Sequence, residues 1–281
     1  MTLDDLSPAA EPGGPPIGLE HLSLRQEPLS SFVAAAAAGG AASVCLSVNH
    51  PDVLDRKTLR AALSQLDDGN LTVALADGFL LQPEAGLDNL RRQLDVLAEI
   101  GAPLANTCAF EPDADLRRGP AYVGDLLAEF CQAARSVGVG VLIEFTPLSH
   151  VPSLSAAVEL VQQLEQPNLR ILVDTLHLAR AGEGPDDLRR IDRQLIGYCQ
   201  LSDGPQKSAS LAAYLDEAVH ERAVPGDGEL PLREVVSLLP LDTVISAEVP
   251  LRRLQQAGVS PEDRARRILQ ASGRLVARAR A

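Results

Sequence analysis

The chain has 281 residues, of which 46% are hydrophobic and 22% are charged, so it can bury a large core and is not a disordered protein. It carries 38 acidic and 25 basic residues, and the net charge of −13 argues against a nucleic acid or an anionic membrane as its partner. The 4 cysteines lie far apart and form no CxxC pair, which favours reduced thiols and a cytoplasmic location over a disulfide framework.

The N-terminus is predicted to be a tail. Residues 1–16 are acidic and rich in Pro and Gly, and they lack the basic and apolar regions of a signal peptide, so we expect them to be disordered. Residues 30–49 are uncharged and consist mostly of small side chains, but Gly39 and Gly40 interrupt them. This segment therefore predicts a helix, a turn and a strand rather than a membrane span. Since no linker follows, residues 17–281 are predicted to form a single domain.

Short apolar segments alternate with amphipathic segments along nearly the whole chain. The apolar segments predict eight strands, over residues 17–24, 42–48, 71–76, 103–108, 138–145, 169–174, 196–202 and 243–249. The later ones, such as VGVLIEF and LRILVD, are almost continuously hydrophobic, which is typical of parallel strands buried on both faces.

The amphipathic segments predict helices over residues 86–100, 123–137, 154–164 and 261–279, the last one with Ser260 as its N-cap. Alternation of strands and helices implies a parallel sheet, and eight strands favour a closed (β/α)8 TIM barrel of the α/β class over an open doubly wound sheet. Neither a GxGxxG motif after the first strand nor a GxxxxGK[ST] motif occurs, so the sequence does not support a dinucleotide or P-loop nucleotide site.

Four consecutive late strands end in side chains that carry oxygen. The segments VLIEF, ILVDTLH, IGYCQLSD and VISAEVP deliver, in this order, Glu144, Asp174 with His177, Gln200 with Asp203, and Glu248. A single carboxylate at a strand end is commonly a loop cap or a surface charge. Their occurrence in register on neighbouring strands is more specific, because the active sites of parallel barrels lie at the carboxyl ends of the strands.

Three carboxylates that converge in an apolar barrel mouth need a cation to neutralise them. The sequence therefore predicts a divalent metal site with four ligands, Glu144, Asp174, Gln200 and Glu248. Oxygen ligands favour Mn²⁺ or Mg²⁺, with Co²⁺ as an alternative, over a thiolate-preferring Zn²⁺ site.

The segments VLIEF, ILVDTLHLAR, IGYCQLSDG, ERAVPGDGELPL and ISAEVP resemble the xylose isomerase-like TIM barrels, a superfamily of sugar-phosphate isomerases and epimerases that also includes endonuclease IV. The resemblance covers most of the chain from about residue 17 and is strongest over residues 144–250. Gln200 stands where many members have His, which keeps this ligand uncharged. The turn at residues 226–228 would let the preceding loop fold back over the barrel mouth.

The resemblance implies a role for each matching residue. Glu144 and Glu248 correspond to the paired glutamates that bind the metal and transfer protons, and Asp174 corresponds to the metal-binding aspartate. His177 and Arg222 correspond to the pair that binds substrate oxygen atoms. The resemblance therefore implies Glu144, Glu248 and His177 as catalytic residues, with His177 and Arg222 also binding the substrate.

The predicted function is a divalent-metal-dependent isomerase or epimerase of a sugar or sugar phosphate. One glutamate would remove a proton next to a carbonyl group to give an enediolate, and the other would return it to another carbon or face. Expulsion of a β-hydroxyl group from the same intermediate would be dehydration, so a lyase similar to 3-dehydroshikimate dehydratase is the alternative. DNA repair similar to that of endonuclease IV, and a non-catalytic barrel, are remote alternatives.

The early strand ends are expected to select the substrate. They carry His21, Gln26, Asn49, His50, Asp77 and Asn106. None of these is an Arg, the side chain that binds a carboxylate best, so a small, neutral, polyhydroxylated carbonyl compound is favoured over 3-dehydroshikimate. Neither a nucleic acid nor a membrane is expected as a partner, and a homo-oligomer is compatible with the sequence.

Overall fold

The computed structural model describes residues 15–281, and the predicted tail over residues 1–16 lies almost wholly outside the described residues. The strands pair in parallel in sequence order and β8 closes on β1, which confirms the predicted TIM barrel. The strands are β1 (Gly18–Glu20), β2 (Ser43–Ser47), β3 (Thr72–Leu80), β4 (Leu104–Cys108), β5 (Gly140–Glu144), β6 (Leu169–Asp174), β7 (Ile196–Leu201) and β8 (Val244–Ala247).

Helices connect the strands and cover the outside of the barrel. They are α1 (Leu29–Gly39), α2 (Pro51–Leu54), α3 (Arg56–Asp68), α4 (Leu87–Ile100), α5 (Ala121–Ser136), α6 (Leu154–Leu164), α7 (Thr175–Arg180), α8 (Pro185–Leu188), α9 (Leu211–His220), α10 (Leu232–Leu238), α11 (Arg252–Gln256) and α12 (Pro261–Arg280). Among residues 15–281, no helix has both the length and the apolar composition that crossing a bilayer requires.

The predicted helices are present as α4, α5, α6 and α12, and Ser260 caps α12 by accepting a hydrogen bond from the Asp263 amide. The Ala-rich segment forms α1 and β2, as predicted, and Gly40 ends α1 with a φ of 80°. That left-handed conformation costs glycine little because it has no Cβ. The helices that the pattern missed include α3, which buries Leu59, Ala62 and Leu66 and packs the partly buried Leu63 against the core.

The prediction of β1 over residues 17–24 was wrong at its end. The strand stops at Glu20, and His21–Leu24 form a 3₁₀ turn. The hydroxyl of Ser23 donates to the Ala247 carbonyl at 3.1 Å and accepts from the Val249 amide at 2.9 Å. These contacts draw the chain across the barrel rim to β8, a long-range effect that the local apolar pattern does not contain.

The core has one layer between the sheet and the helices and a second, smaller layer inside the barrel. The inner layer consists of Cys45, Leu75, Leu142, Leu172 and Tyr198. Since alternate side chains of a strand share one face, the residue two positions further along each strand also faces the barrel axis. The inner layer therefore forms the floor beneath the residues at the carboxyl ends of the strands.

Candidate metal centre and active site

Strand alternation places the predicted site residues above the barrel floor. Glu144 follows Leu142 by two positions on β5, and Asp174 follows Leu172 in the same way on β6. On β7, Gln200 stands in the same relation to Tyr198. Asp174 and Gln200 are buried in the barrel mouth, and Glu144 is partly buried there.

Glu144, Asp174 and His177 each offer a ligand atom, and these atoms lie within 4.8 Å of one another. The Oδ1 atom of Asp174 accepts hydrogen bonds from the amides of Leu176 and His177, so Asp174 is the N-cap of α7. This cap places His177 one helical turn beyond the aspartate, with Nε2 at 3.3 Å from Glu144 Oε1 and 3.7 Å from Asp174 Oδ2. The spacing Asp-x-x-His is therefore explained by the geometry of a helix start.

Arg222 joins Asp174 to Glu248. Its guanidinium donates to Asp174 Oδ2 at 2.7 Å and forms an ion pair with Glu248 Oε2 at 2.7 Å, and all three side chains are almost completely buried. A second hydrogen bond reaches the hydroxyl of Ser202 at 3.1 Å, and Nε donates to the Ala218 carbonyl at 2.9 Å. The guanidinium is thus held in one place by acceptors on three sides, as its planar fork allows.

Gln200 completes the chain of contacts. Its Nε2 donates to Glu248 Oε1 at 3.2 Å. Its Oε1 is buried and accepts no hydrogen bond from any residue in the described range 15–281. A buried amide oxygen without a donor costs free energy, and a cation would satisfy it. An amide oxygen is a suitable ligand for a divalent ion, so Glu144, Asp174, Gln200 and Glu248 stay the predicted ligands. Of these four, Glu144 and Asp174 belong to the group of ligand atoms within 4.8 Å of one another, whereas Glu248 contacts Arg222 and Gln200.

The two buried acids that contact Arg222 have pKa values that are shifted in opposite directions. Burial by itself would raise the pKa of Asp174, but the charge of Arg222 and the hydrogen bonds from Arg222 and the His177 amide lower it to about 2. For Glu248, burial outweighs the opposing charge of Arg222 and raises the pKa well above its usual value. Acids whose pKa values are pushed apart in this way can serve different roles in proton transfer.

A chain of hydrogen bonds fixes the tautomer of His177. The Leu148 amide donates to Thr146 Oγ1 at 3.3 Å, so the Thr146 hydroxyl is free to donate to Tyr214, whose oxygen lies 2.6 Å away. The Tyr214 hydroxyl then donates to His177 Nδ1 at 2.8 Å. If the Tyr214 hydroxyl instead donated to Thr146, the Thr146 hydroxyl hydrogen would have no acceptor among residues 15–281. Nε2 therefore carries the proton, which suits donation to a substrate oxygen better than metal ligation.

We expect Tyr214→Phe to lower kcat by about 10- to 100-fold, because loss of the hydroxyl frees His177 to adopt the other tautomer. The pH profile of kcat should change as well, and this distinguishes an effect on His177 from a loss of packing. Tyr122→Phe is the matched control, since the Tyr122 hydroxyl contacts the exposed Glu84 carboxylate. Equal losses in both variants would contradict the assignment.

Asp203 lies outside this network, although it follows the same strand as Gln200. Its carboxylate accepts hydrogen bonds from the amides of Gly226, Gly228 and Leu230 at 2.9–3.1 Å. A Cβ on Gly228 would stand 2.3 Å from Asp203 Oδ1, so this turn requires glycine there. Asp203 thus holds the turn that follows Arg222 and has a structural role.

The early strand ends divide into two groups. Asp77 and Asn106 join the site, since Asn106 Nδ2 donates to Asp77 Oδ1 at 3.0 Å and to Glu144 Oε2 at 2.7 Å. Burial, and then the charges of Glu144 and Glu20, raise the pKa of Asp77 to about 7. Glu20 is a buried acid that the sequence reasoning missed. It ends β1 and accepts a hydrogen bond from the Tyr198 hydroxyl at 2.9 Å.

The other early residues have local contacts. The rings of His21 and His50 pack with centroids 4.5 Å apart, and burial lowers the pKa of His21 to about 3. The His50 ring accepts a hydrogen bond from the Asp52 amide and caps α2. Gln26 is exposed, and the Asn49 side chain contacts the backbone of Gly78. Strand-end alternation could have identified Glu20, but the sequence reasoning applied it only to the late strands.

Comparisons with known proteins agree with the fold. Residues 32–273 match the family described as Xylose isomerase-like TIM barrel. A 3-dehydroshikimate dehydratase of Pseudomonas aeruginosa is 25% identical over 147 residues, which are 52% of this chain and 23% of that protein. The match thus spans less than a quarter of the length of this curated relative.

Solved structures with low sequence identity share the architecture. The IOLI protein, solved with a bound zinc atom, has a TM-score of 0.79 at 15% identity over 93% of this chain and 98% of that chain. A D-psicose 3-epimerase, solved in the presence of D-fructose, has a TM-score of 0.71 at 15% identity over 94% and 100% of the two chains. Together with the family match over most of its length, these observations establish that the chain belongs to the xylose isomerase-like TIM barrel family.

Proposed function

We propose that this protein is a divalent-metal-dependent isomerase or epimerase that acts on a small, neutral, polyhydroxylated carbonyl compound. The observation that carries this proposal is the buried network in which Glu144 and Glu248 are joined through His177, Asp174 and Arg222. It supplies two separate glutamates, a cationic guanidinium and an imidazole N–H at the carboxyl ends of the strands.

Each side chain has a role in this proposal. Glu144 removes the proton from the carbon beside the substrate carbonyl, and Glu248 returns a proton to the intermediate. His177 donates from Nε2 to a substrate oxygen, and Arg222 binds a second oxygen and balances carboxylate charge. A divalent ion, held by Glu144, Asp174, Gln200 and Glu248, would polarise the carbonyl group. Mn²⁺ and Mg²⁺ are the first candidates, and Co²⁺ is the next.

A lyase that dehydrates 3-dehydroshikimate is the second candidate. The similarity to the P. aeruginosa 3-dehydroshikimate dehydratase favours it. Removal of the same proton begins both reactions, and they differ only in whether a β-hydroxyl group then leaves. The shared residues therefore support either outcome, and the groups that face the rest of the substrate must decide between them.

We expect the purified protein to lose its activity on treatment with a chelator and to regain it with Mn²⁺. The test incubates chelated and Mn²⁺-loaded protein with D-fructose, D-tagatose or 3-dehydroshikimate in D₂O. Deuterium incorporation and conversion of the sugars are followed by NMR, and formation of an aromatic product by absorbance. Metal-dependent exchange into a ketose supports the first candidate, whereas an aromatic product from 3-dehydroshikimate would replace it with the second.

Mg²⁺, Co²⁺ and Zn²⁺ are added separately to the chelated protein as comparisons. Equal activity in the chelated and metal-loaded samples would contradict a metal-dependent reaction. Size-exclusion chromatography in the same buffers measures whether the active protein is a monomer or a homo-oligomer.

A further inference from the structure

A bulge in β3 follows directly after an acid that faces the barrel mouth. The register between β3 and β4 shifts between Ala76 and Phe79, and Gly78 has a φ of 103°. The prediction of this strand over residues 71–76 was therefore too short, because pairing resumes after the bulge and runs to Leu80. Bulges are frequent beside active sites, where they redirect a side chain. Asp77 lies two positions beyond Leu75 of the barrel floor, so it faces the barrel mouth by strand alternation, and the bulge that follows it turns Phe79 outwards against Phe130.

Two amide side chains clamp the bulge. Asn49 Nδ2 and Gln93 Nε2 donate to the Gly78 carbonyl at 2.7 and 3.0 Å. Gln93 also donates to Asn49 Oδ1 at 2.8 Å. A Cβ on Gly78 would stand 2.6 Å from Asn49 Nδ2, so glycine is needed both for the space and for the backbone conformation. The position of Asp77 is thus fixed from the outside of the sheet.

The carboxylate of Asp77 is also held from the inside. Asn106 Nδ2 donates to it and to Glu144, and a flipped amide would face both acids with its oxygen, so the orientation of Asn106 is determined. Asp77 is half-buried, and Asn106 is the one side chain within residues 15–281 that donates to its carboxylate. Acceptor capacity therefore remains on the β3 side of the mouth, one amide away from Glu144.

We propose that Asp77 determines substrate specificity: its carboxylate accepts a hydrogen bond from a hydroxyl group of a neutral substrate and opposes a substrate that carries a phosphate or carboxylate at that position. The inference rests on the proposed function and specifies its substrate class. It would also disfavour 3-dehydroshikimate bound with its carboxylate towards β3, because like charges in a low-dielectric site repel strongly.

The test compares wild type, Asp77→Asn and Asp77→Ala, each loaded with Mn²⁺ at pH 8. D-fructose is the neutral probe and D-fructose 6-phosphate the anionic one. Asp77→Ala is expected to raise the KM and Kd for D-fructose by about 10- to 100-fold with a smaller change in kcat, since a hydrogen bond to a charged group is lost. Asp77→Asn is expected to shift the preference towards the phosphate by at least about 10-fold. Asp88→Asn, at an exposed position on α4, is the control.

Calorimetric Kd values keep this test separate from the test of activity. If the Kd values of the variants differ from those of the wild type as expected, but neither sugar is converted, the role of Asp77 is supported and the proposed isomerase or epimerase is overturned. Unchanged preferences in both variants would overturn the role of Asp77 alone, and failure of the wild type to bind either sugar would overturn both. Asp77→Asn could also lose affinity for Mn²⁺ to the same extent as for D-fructose. In that case Asp77 would only position Asn106, and the inference would be overturned.

Discussion

Glu144→Gln is expected to abolish the exchange of solvent protons into the substrate, with a loss of about 10²- to 10⁴-fold in rate. The carboxylate accepts from Asn106 Nδ2 at 2.7 Å and faces His177 Nε2 at 3.3 Å, so it is held where a base is needed. A glutamine has nearly the same shape but cannot take up the proton. The measurement is deuterium incorporation into D-fructose by the Mn²⁺-loaded protein, followed by NMR.

Glu84→Gln is the matched control for this prediction, because Glu84 is an exposed acid whose carboxylate contacts the Tyr122 hydroxyl. Circular dichroism and the midpoint of urea unfolding establish that both variants fold. If Glu144→Gln exchanged protons at the wild-type rate, the two-glutamate mechanism would be wrong. If it lost Mn²⁺ binding completely, adding excess Mn²⁺ would distinguish a ligand role from a proton-transfer role.

Arg222→Leu is expected to lower the free energy of unfolding by about 3–5 kcal/mol. Arg222 lies between Asp174 and Glu248 with almost no solvent exposure, so its removal leaves both carboxylates without their cation. Arg252→Leu removes another arginine that binds an aspartate, Asp216, but these side chains are 38% and 50% exposed. That control should change the free energy of unfolding much less, because water screens an exposed ion pair. Urea unfolding of both variants in a chelating buffer measures the difference.

The effect of Arg222→Leu should depend on pH. In the folded protein the pKa of Asp174 is lowered from 3.8 to about 2, so its ionised form contributes stability that is present above 3.8 and is lost as the pH falls towards 2. The difference in free energy of unfolding between wild type and variant should therefore shrink over this range. A difference that stayed constant between pH 5 and pH 2 would mean that packing of the arginine side chain, rather than its charge, accounts for the loss.

The alternation of strands and helices was readable because parallel strands buried on both faces are nearly continuous apolar segments. The polar residues at the ends of β5 to β8 could be predicted for the same reason, since a carboxylate directly after an apolar segment marks the end of a buried strand. Gln200 and His177 were identified through their position relative to those acids. By contrast, the end of β1 depends on contacts of Ser23 with residues more than 200 positions away, which no local pattern contains.

The sequence by itself determined the barrel, the side of it that bears the site, and the late-strand acids, because strand periodicity and strand order are local properties of the chain. Only the tertiary structure decided that Arg222 joins Asp174 to Glu248, that Tyr214 orients His177, and that Asn106 joins Asp77 to Glu144. These contacts link segments far apart in the chain, and their energies depend on distances and burial that arise only when the barrel closes.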